Sequence, residues 1–229
     1  MVIWVSVREA PAAYIQMDKK NCGGPVMKFI QTSLLALVLC APGAVCAGDI
    51  DELTAQCDSC HGAEGASMSS DVPIIGGQSA EYLSDTLESF QDWARPCVKS
   101  AYRSGDTARP KTDMCKIASG LTSEDIAALS AHYSSLPWLP AIQDFDAAAA
   151  EAGDVIHQES CEFCHQESGK GFGGRGPRLA GQWKPYMKST LKFVPTGEHL
   201  VPPTMERSVT DFSDADINAV LDFYASQQD

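Results

Sequence analysis

Two short motifs of cysteine and histidine carry the most recognisable chemistry in this 229-residue chain. Each has two cysteines separated by two residues, with a histidine directly after the second cysteine. In this arrangement the two thiols can add to the vinyl groups of a haem while the histidine binds its iron. The pattern predicts two covalent haem c groups, one attached at Cys57 and Cys60 with His61 on the iron, the other at Cys161 and Cys164 with His165 on the iron.

Disulfides and zinc sites are the other chemistries that use cysteine pairs. A disulfide inside such a short segment is strained, and a zinc site does not require histidine at the same place in both copies. The chain has nine cysteines, which is many for its length, so the cysteines need a chemical role. The repetition of the motif favours haem over both alternatives.

The motifs are parts of a longer internal repeat. The first motif recurs 104 residues later, and residues 73–78 align with residues 177–182 at the same offset. Met114 aligns with Met205 at an offset of 91, which then holds to the last helix. The first copy therefore carries 13 extra residues before Met114.

The repeat predicts two homologous domains, at residues 48–140 and 141–229, connected by a segment with prolines at 137 and 140. Apolar residues recur three and four positions apart in both, whereas strand signals are nearly absent. The predicted helices are one leading into each cysteine pair and four others, at 82–90, 123–133, 186–193 and 213–224. Ser123 is the predicted cap of its helix. The predicted fold class is all-α.

The face of the iron opposite the histidine separates electron transfer from catalysis, because a strong sixth ligand excludes substrates. Met114 and Met205 are predicted to bind there, since they occupy equivalent positions before the final helix of each domain. Methionine more often packs in a core, but the shared position in two diverged halves favours a ligand. Thioether ligation predicts two haems of moderately high reduction potential.

Other residues compete less well for the iron. The candidates without an equivalent in the other copy are Met68, His132 and His199. Met187 aligns with Leu83, so we expect it to pack in the core. His157 lies on an acidic helix and is expected at the surface. A cysteine that replaces Met114 as ligand is a further alternative.

The N-terminus predicts export. Residues 27–39 run from a positively charged start into an apolar segment that is too short to span a membrane. We predict a secretory signal, removal of residues 1–47 and a periplasmic location. Residues 1–26 precede the signal and indicate an early start codon or an upstream extension. A lipoprotein modified at Cys40 or Cys46 is a weaker alternative.

Without residues 1–47 the chain has 13 basic and 28 acidic residues, a net charge of −15. So acidic a protein is not expected to bind nucleic acid, and its membrane contact is at most peripheral. The charge favours a redox partner with a basic surface. Solubility in a salty medium explains it equally well.

The 13 extra residues lie in a stretch that contains Cys97 and Cys115. In an exported protein we predict a disulfide between them, worth roughly 3 kcal/mol for a loop of this length. The disulfide would hold the segment that contains the neighbouring Met114 in place. A local positive patch for a redox partner is also predicted here, with an ordinary solvated loop as the alternative. The basic residues are Arg95, Lys99, Arg103, Arg109, Lys111 and Lys116.

With two such motifs, a methionine before each final helix and a connection containing prolines, residues 49–228 resemble the diheme cytochrome c₄ family. The resemblance implies two tandem class I cytochrome c domains that carry electrons to a terminal oxidase or cytochrome complex, with no catalytic residue. Residues 179–183 and 223–228 are also similar to the haem subunit of flavocytochrome c sulfide dehydrogenase, which accepts electrons from a flavoprotein subunit. Diheme peroxidases and thiosulfate dehydrogenases, which are enzymes, also carry two motifs and are a further alternative.

The resemblance further implies a role for two prolines, each 12 residues after its histidine. The carbonyl of Pro73 or Pro177 would accept the second N–H of the iron-binding histidine and fix its ring. A simple proline turn is the alternative interpretation.

Overall fold

The computed structural model describes residues 48–171 and 176–228. The predicted signal and upstream extension, residues 1–47, lie outside the described residues. Across the described ranges the backbone contains no β-strand, only an isolated antiparallel bridge between Ser100 and Thr112. The α-helices are α1 (Ile50–His61), α2 (Ala80–Gln91), α3 (Met114–Ala118), α4 (Ser123–Ser134), α5 (Ala147–Ser160), α6 (Lys184–Leu191), α7 (Pro203–Asp211) and α8 (Asp214–Ser226). The prediction of an all-α fold is confirmed.

The order of helices repeats once along the chain. Helices α1 to α4 lie in residues 48–140, here called the first half, and α5 to α8 in residues 141–228, the second half. Each half has a helix that leads to the cysteine pair, a second helix, a short helix with the methionine, and a final helix. The four helices predicted from periodicity match α2, α4, α6 and α8 to within two residues at each end.

Equivalent capping boxes begin the two final helices. The Thr122 hydroxyl accepts from the Asp125 N–H at 3.1 Å, while the Asp125 carboxylate accepts from the Thr122 N–H at 3.0 Å. Ser213 and Asp216 form the same pair ahead of α8. The N-cap of α4 is thus Thr122 and not the predicted Ser123. The repeat agrees with this, since Thr122 aligns with Ser213 at the offset of 91.

Each half buries its own apolar cluster. The first cluster consists of Leu83, Leu121, Ile126, Leu129 and Tyr133. The second consists of Met187, Val220, Leu221, Phe223 and Tyr224. Both contain residues from the second and final helices of their half, and Cys57 or Cys161 packs against the edge. Burial of these side chains stabilises the arrangement that places each motif beside its core.

A pair of glycine turns holds the connection between the halves. Gly77 has φ +74° and donates its N–H to the Tyr133 carbonyl at 2.8 Å, as Gly181, with φ +73°, does to Tyr224. A Cβ on Gly77 would lie 2.6 Å from the backbone nitrogen of Trp138. Both the left-handed backbone and this close approach require glycine. The segment with the two prolines therefore packs directly on the turn that follows Pro73.

The extra residues of the first half form a loop closed by a disulfide between Cys97 and Cys115, as predicted. The loop folds back on the first cysteine pair. The N–H groups of Arg103 and Ser104 donate to the Ser59 carbonyl at 2.7 and 3.0 Å. The insertion therefore covers part of the first motif.

Among the residues that the structure describes, no helix has the length and apolar character needed to cross a lipid bilayer.

Candidate functional site

The first motif occupies the last turn of α1. The Asp49 side chain caps the start of this helix, and Gly62, with φ +78°, follows its end at His61. Because Cys57 and Cys60 are three residues apart on a helix, their side chains share one face. Both thiols are partly buried, and neither is in a disulfide.

The second motif has a different backbone from the first. Helix α5 ends at Ser160, so it leads into the second cysteine pair, as predicted, but does not include it. Cys161, Cys164 and His165 follow in turns. The His165 N–H still donates to the Cys161 carbonyl at 2.9 Å, which closes one helix-like turn. The second pair of thiols, also free of disulfides, is thus brought together in a similar way.

Among the residues that the structure describes, neither motif cysteine pair belongs to a cluster of three close metal-binding groups. Burial raises the pKa of the Cys57 thiol to about 11 and also raises the pKa of Cys161. In the described ranges, the one cluster of three close metal-binding groups is Cys97, Asp113 and Cys115, and its two cysteines are joined to each other. Thioether formation with haem needs no stable thiolate in the final site.

Each motif histidine is buried and held by a proline carbonyl, as the resemblance implied. His61 Nδ1 lies 2.8 Å from the Pro73 carbonyl oxygen, and His165 Nδ1 lies 3.1 Å from that of Pro177. A carbonyl only accepts, so Nδ1 carries the hydrogen and Nε2 the lone pair. Burial lowers the pKa of both histidines, which favours the neutral ring. This is the form and tautomer that binds iron through Nε2.

The two methionines occupy matching places. Met114 is the first residue of α3, where the Asp113 side chain caps the helix, and Met205 is the third residue of α7. Both are partly buried and precede the final helix of their half. Of the competing methionines, Met68 is 88% exposed, and Met187 packs in the second core cluster.

His157 is not a surface residue, and that prediction was wrong. Its side chain is 1% exposed, with Nδ1 2.9 Å from the Tyr224 hydroxyl and Nε2 bonded to the Glu162 carboxylate. At the offset of 104, His157 aligns with Leu53, which packs against the first core. This alignment was the signal that would have placed His157 inside.

The other two histidines lie in contrasting places. His132 is partly buried, with its ring edge-to-face on Tyr133 at 5.0 Å. His199 is buried and belongs to the segment that connects α6 to α7. Burial and the nearby Arg95 guanidinium lower the pKa of His199 to about 4. His199 is therefore a neutral ring beside a cation at ordinary pH.

Several buried donors are compatible with the carboxylates of a haem. Arg95 Nε, Arg178 Nε and Trp138 Nε1 are inaccessible to solvent and have no hydrogen-bond partner in the described part of the chain. Buried donors of this kind normally have acceptors. Arg178 also lies over the Trp138 ring, 5.1 Å from its centre. Haem propionates are anionic acceptors that can satisfy such donors, so the residues present fit the group that the motifs predict.

Arg95 is thus partly buried, with its Nε inaccessible to solvent, and is not an exposed member of the predicted positive patch. Arg103 pairs with Asp71 at 2.5 Å, and Arg109 lies over the Tyr102 ring at 3.6 Å. These two arginines are exposed, and so are Lys99 and Lys111 of the loop and Lys116 of α3. Five of the six basic residues are therefore exposed. A role for them in binding a redox partner stays a prediction.

Sequence reasoning did not assign a role to four residues at the junction of the halves. They are Gln78, Trp138, Arg178 and Gln182. The repeat aligned Gln78 with Gln182, but a side chain that reaches into the other half cannot be inferred from the alignment of one half with the other.

The chain is similar to c-type cytochromes. The family described as "Cytochrome C oxidase, cbb3-type, subunit III" matches residues 148–223. A cytochrome c-554(548) of Halomonas halodenitrificans is 37% identical over 79 residues, 34% of this chain and 82% of that protein. A thiosulfate dehydrogenase electron acceptor of Thiomonas intermedia is 28% identical over 216 residues, 89% of this chain and 92% of that protein. A cytochrome c4 of Azotobacter vinelandii is 26% identical over 146 residues, 60% of this chain. The chain spans 66% of the length of that cytochrome.

Solved structures share the fold. The cytochrome c4 of Acidithiobacillus ferrooxidans superposes with a TM-score of 0.61 at 24% identity, over 75% of this chain and 99% of that chain. The thiosulfate dehydrogenase TsdBA of Marichromatium purpuratum gives a TM-score of 0.59 at 27% identity, over 75% of this chain and 36% of that chain.

Proposed function

The chain belongs to the c-type cytochromes, and from this membership we propose how it holds two haems and passes electrons. It is a diheme electron-transfer protein. We assign one haem to each of two domains, at residues 48–140 and 141–229. The thioether bonds form at Cys57, Cys60, Cys161 and Cys164, with His61 and Met114 on the first iron and His165 and Met205 on the second.

One observation carries this assignment. In each half, two free thiols three residues apart lie next to a buried histidine whose Nδ1 is hydrogen-bonded to a proline carbonyl. The carbonyl fixes the ring and leaves Nε2 for the iron. The same arrangement on two different backbones, a helix end and a series of turns, supports a shared ligand-binding role.

The residues around each haem determine whether its iron transfers electrons or reacts with a substrate. Haem supplies a one-electron couple between ferric and ferrous iron. With Met114 and Met205 as further ligands, neither iron would have a free position for a substrate, which would favour electron transfer over catalysis. The apolar clusters pack against Cys57 and Cys161, and both motif histidines are themselves buried.

Methionine ligation is tested by the long-wavelength sulfur–iron charge-transfer band of the oxidised protein. We expect Met114→Ala and Met205→Ala each to remove about half of this band, because each opens one of two equivalent irons. Met68→Ala is the matched control, since Met68 is 88% exposed, and should leave the band intact. A full band in either of the first two variants would show that another residue binds that iron.

We further propose that the protein is exported to the periplasm and accepts electrons from a sulfur-oxidising dehydrogenase. The support is the relative that aligns over 89% of this chain, which is named a thiosulfate dehydrogenase electron acceptor. A terminal oxidase or cytochrome complex then receives the electrons. The net charge of −15 outside residues 1–47 favours a basic docking surface on these partners.

The partner is tested by rapid mixing of the oxidised protein with a thiosulfate dehydrogenase and thiosulfate. We expect haem reduction that slows as salt is added, because screening weakens attraction between the acidic chain and a basic partner. A flavocytochrome flavoprotein subunit supplied with sulfide is the comparison. Faster reduction by the flavoprotein would assign the chain to that system instead.

A further inference from the structure

Two glutamines at the same position of the repeat, Gln78 and Gln182, each extend their side chain across the junction into the other half. The Gln182 side chain reaches Ile74 in the first half, where Oε1 accepts from the Ile74 N–H at 3.0 Å and Nε2 donates to its carbonyl at 2.9 Å. Gln78 does the same to Arg178 in the second half, at 2.9 Å for both bonds. The result is a reciprocal pair of two-bond clamps.

Both clamps are shielded from solvent. Gln78 is 3% exposed and Gln182 is 2% exposed. In such surroundings a hydrogen bond is electrostatically stronger than in water, and chains of bonds polarise one another. An amide side chain that satisfies both the N–H and the carbonyl of one residue also fixes that residue's backbone in position and orientation.

The clamped peptides are those that hold the motif histidines. The Ile74 N–H belongs to the same peptide unit as the Pro73 carbonyl, which binds His61 Nδ1 at 2.8 Å. The Arg178 N–H likewise shares its unit with the Pro177 carbonyl, which binds His165. When the glutamine oxygen accepts from the N–H, the peptide becomes more polarised and its carbonyl a better acceptor for the histidine.

We propose that Gln182 and Gln78 are positioning residues, each of which sets the reduction potential of the haem in the opposite half through the peptide that binds its histidine. This inference rests on the proposed attachment of haem at His61 and His165. A strong acceptor at Nδ1–H makes the ring a more basic ligand, and a more basic ligand favours ferric iron. Loss of a clamp therefore raises the potential of the haem across the junction.

The test is a redox titration of the full diheme protein, with each haem assigned by NMR contacts to residues of its own half. We expect Gln182→Met to raise the potential of the haem in the first half and leave the other unchanged. Gln78→Met should do the reverse. The matched control is Gln91→Met, because Gln91 donates to the Ala118 and Leu121 carbonyls within the first half only.

A conservative replacement separates tuning from simple loosening of the junction. In Gln182→Glu and Gln78→Glu, burial and the facing carbonyl favour a protonated acid, which can make both bonds of the amide. These variants should keep both potentials close to those of the unchanged protein. They also test the proposal should a methionine variant fail to load both haems, because displacement of a potential in a variant that retains both bonds would contradict it.

The decisive outcome is that each methionine substitution shifts the reduction potential of the haem in the opposite half only. A shift confined to the haem in the same half as the substitution, an equal shift at both haems, or a shift no larger than that of Gln91→Met would overturn the inference. The unchanged protein is titrated first. If it holds no haem, the proposed function fails, whereas two haems with no crossed shift would overturn the role of the glutamines alone.

Discussion

At the scale of single residues, the two histidine sites are alike in the bond that fixes the ring and different in what surrounds it. In the first half the Tyr133 hydroxyl donates to the Asp58 carboxylate at 2.8 Å. In the second half His157 stands between the equivalent pair, Tyr224 and Glu162. Because both pairs lie beside a motif cysteine, the two haem environments are related but not identical. Different reduction potentials at the two sites are the expected consequence.

A buried histidine makes the protein sensitive to acid. The pKa of His199 is about 4 in the folded chain and near 6.5 when the chain is unfolded. The unfolded state therefore binds a proton more readily, and stability falls as pH drops from about 6.5 to about 4. We expect His199→Gln to reduce this decline in melting temperature over that range.

The control for this acid effect is His132→Gln, measured by the same thermal melts of the haem-loaded protein. His132 is only partly buried, and its ring contacts Tyr133 at 5.0 Å. An unchanged acid decline in His199→Gln, or an equal improvement in His132→Gln, would show that His199 is not responsible.

The matching places of the proposed ligands in the two halves were predictable because the repeat gave two copies of the same evidence. Cysteine spacing, the adjacent histidine and the shared methionine position can all be read from the chain. The location of His157 could not be read from composition, because an acidic helix with a histidine has the pattern of a surface segment. It is tertiary packing against Phe223, at 5.1 Å between rings, that buries it.

At the scale of elements, the final helix of each half depends on its capping box. Replacement of the cap removes an acceptor for an N–H of the first turn. We expect Thr122→Ala and Ser213→Ala each to cost about 1 kcal/mol of unfolding free energy. Urea unfolding followed by circular dichroism measures this cost.

Ser123→Ala is the matched control for the cap of α4, because Ser123 is a helical residue whose side chain is not the cap. It should have almost no effect, since alanine is at least as good a helix former as serine. A larger loss in Ser123→Ala than in Thr122→Ala would mean that the cap was assigned to the wrong residue.

Four helices were predicted well from apolar spacing, since the bounds of α2, α4, α6 and α8 lie within two residues of the predicted ones. Spacing could not distinguish the helical end of α1 from the turns that follow α5, because the two motifs have the same pattern. The disulfide between Cys97 and Cys115 was predictable from the two cysteines left over in an exported chain.

At the scale of the whole molecule, the two halves are bound to each other through more than their connection. Besides the glutamine clamps, Trp183 Nε1 donates to the Ser67 carbonyl at 2.8 Å, and the Leu200 N–H donates to the Ala94 carbonyl at 2.9 Å. These bonds join segments more than 100 residues apart. They were not predictable from the repeat, which describes what the halves share and not how they meet. A fixed junction would keep the two haems at a constant distance from each other.

The central claim is that one chain holds two covalent haems, one at each cysteine pair. The direct measurement is the intact mass of the denatured protein, produced in a bacterium that matures c-type cytochromes. We predict the mass of the polypeptide plus two haems, falling to one haem in Cys57→Ala/Cys60→Ala and equally in Cys161→Ala/Cys164→Ala. A chain without haem, or two haems that survive the loss of either pair, would contradict the account.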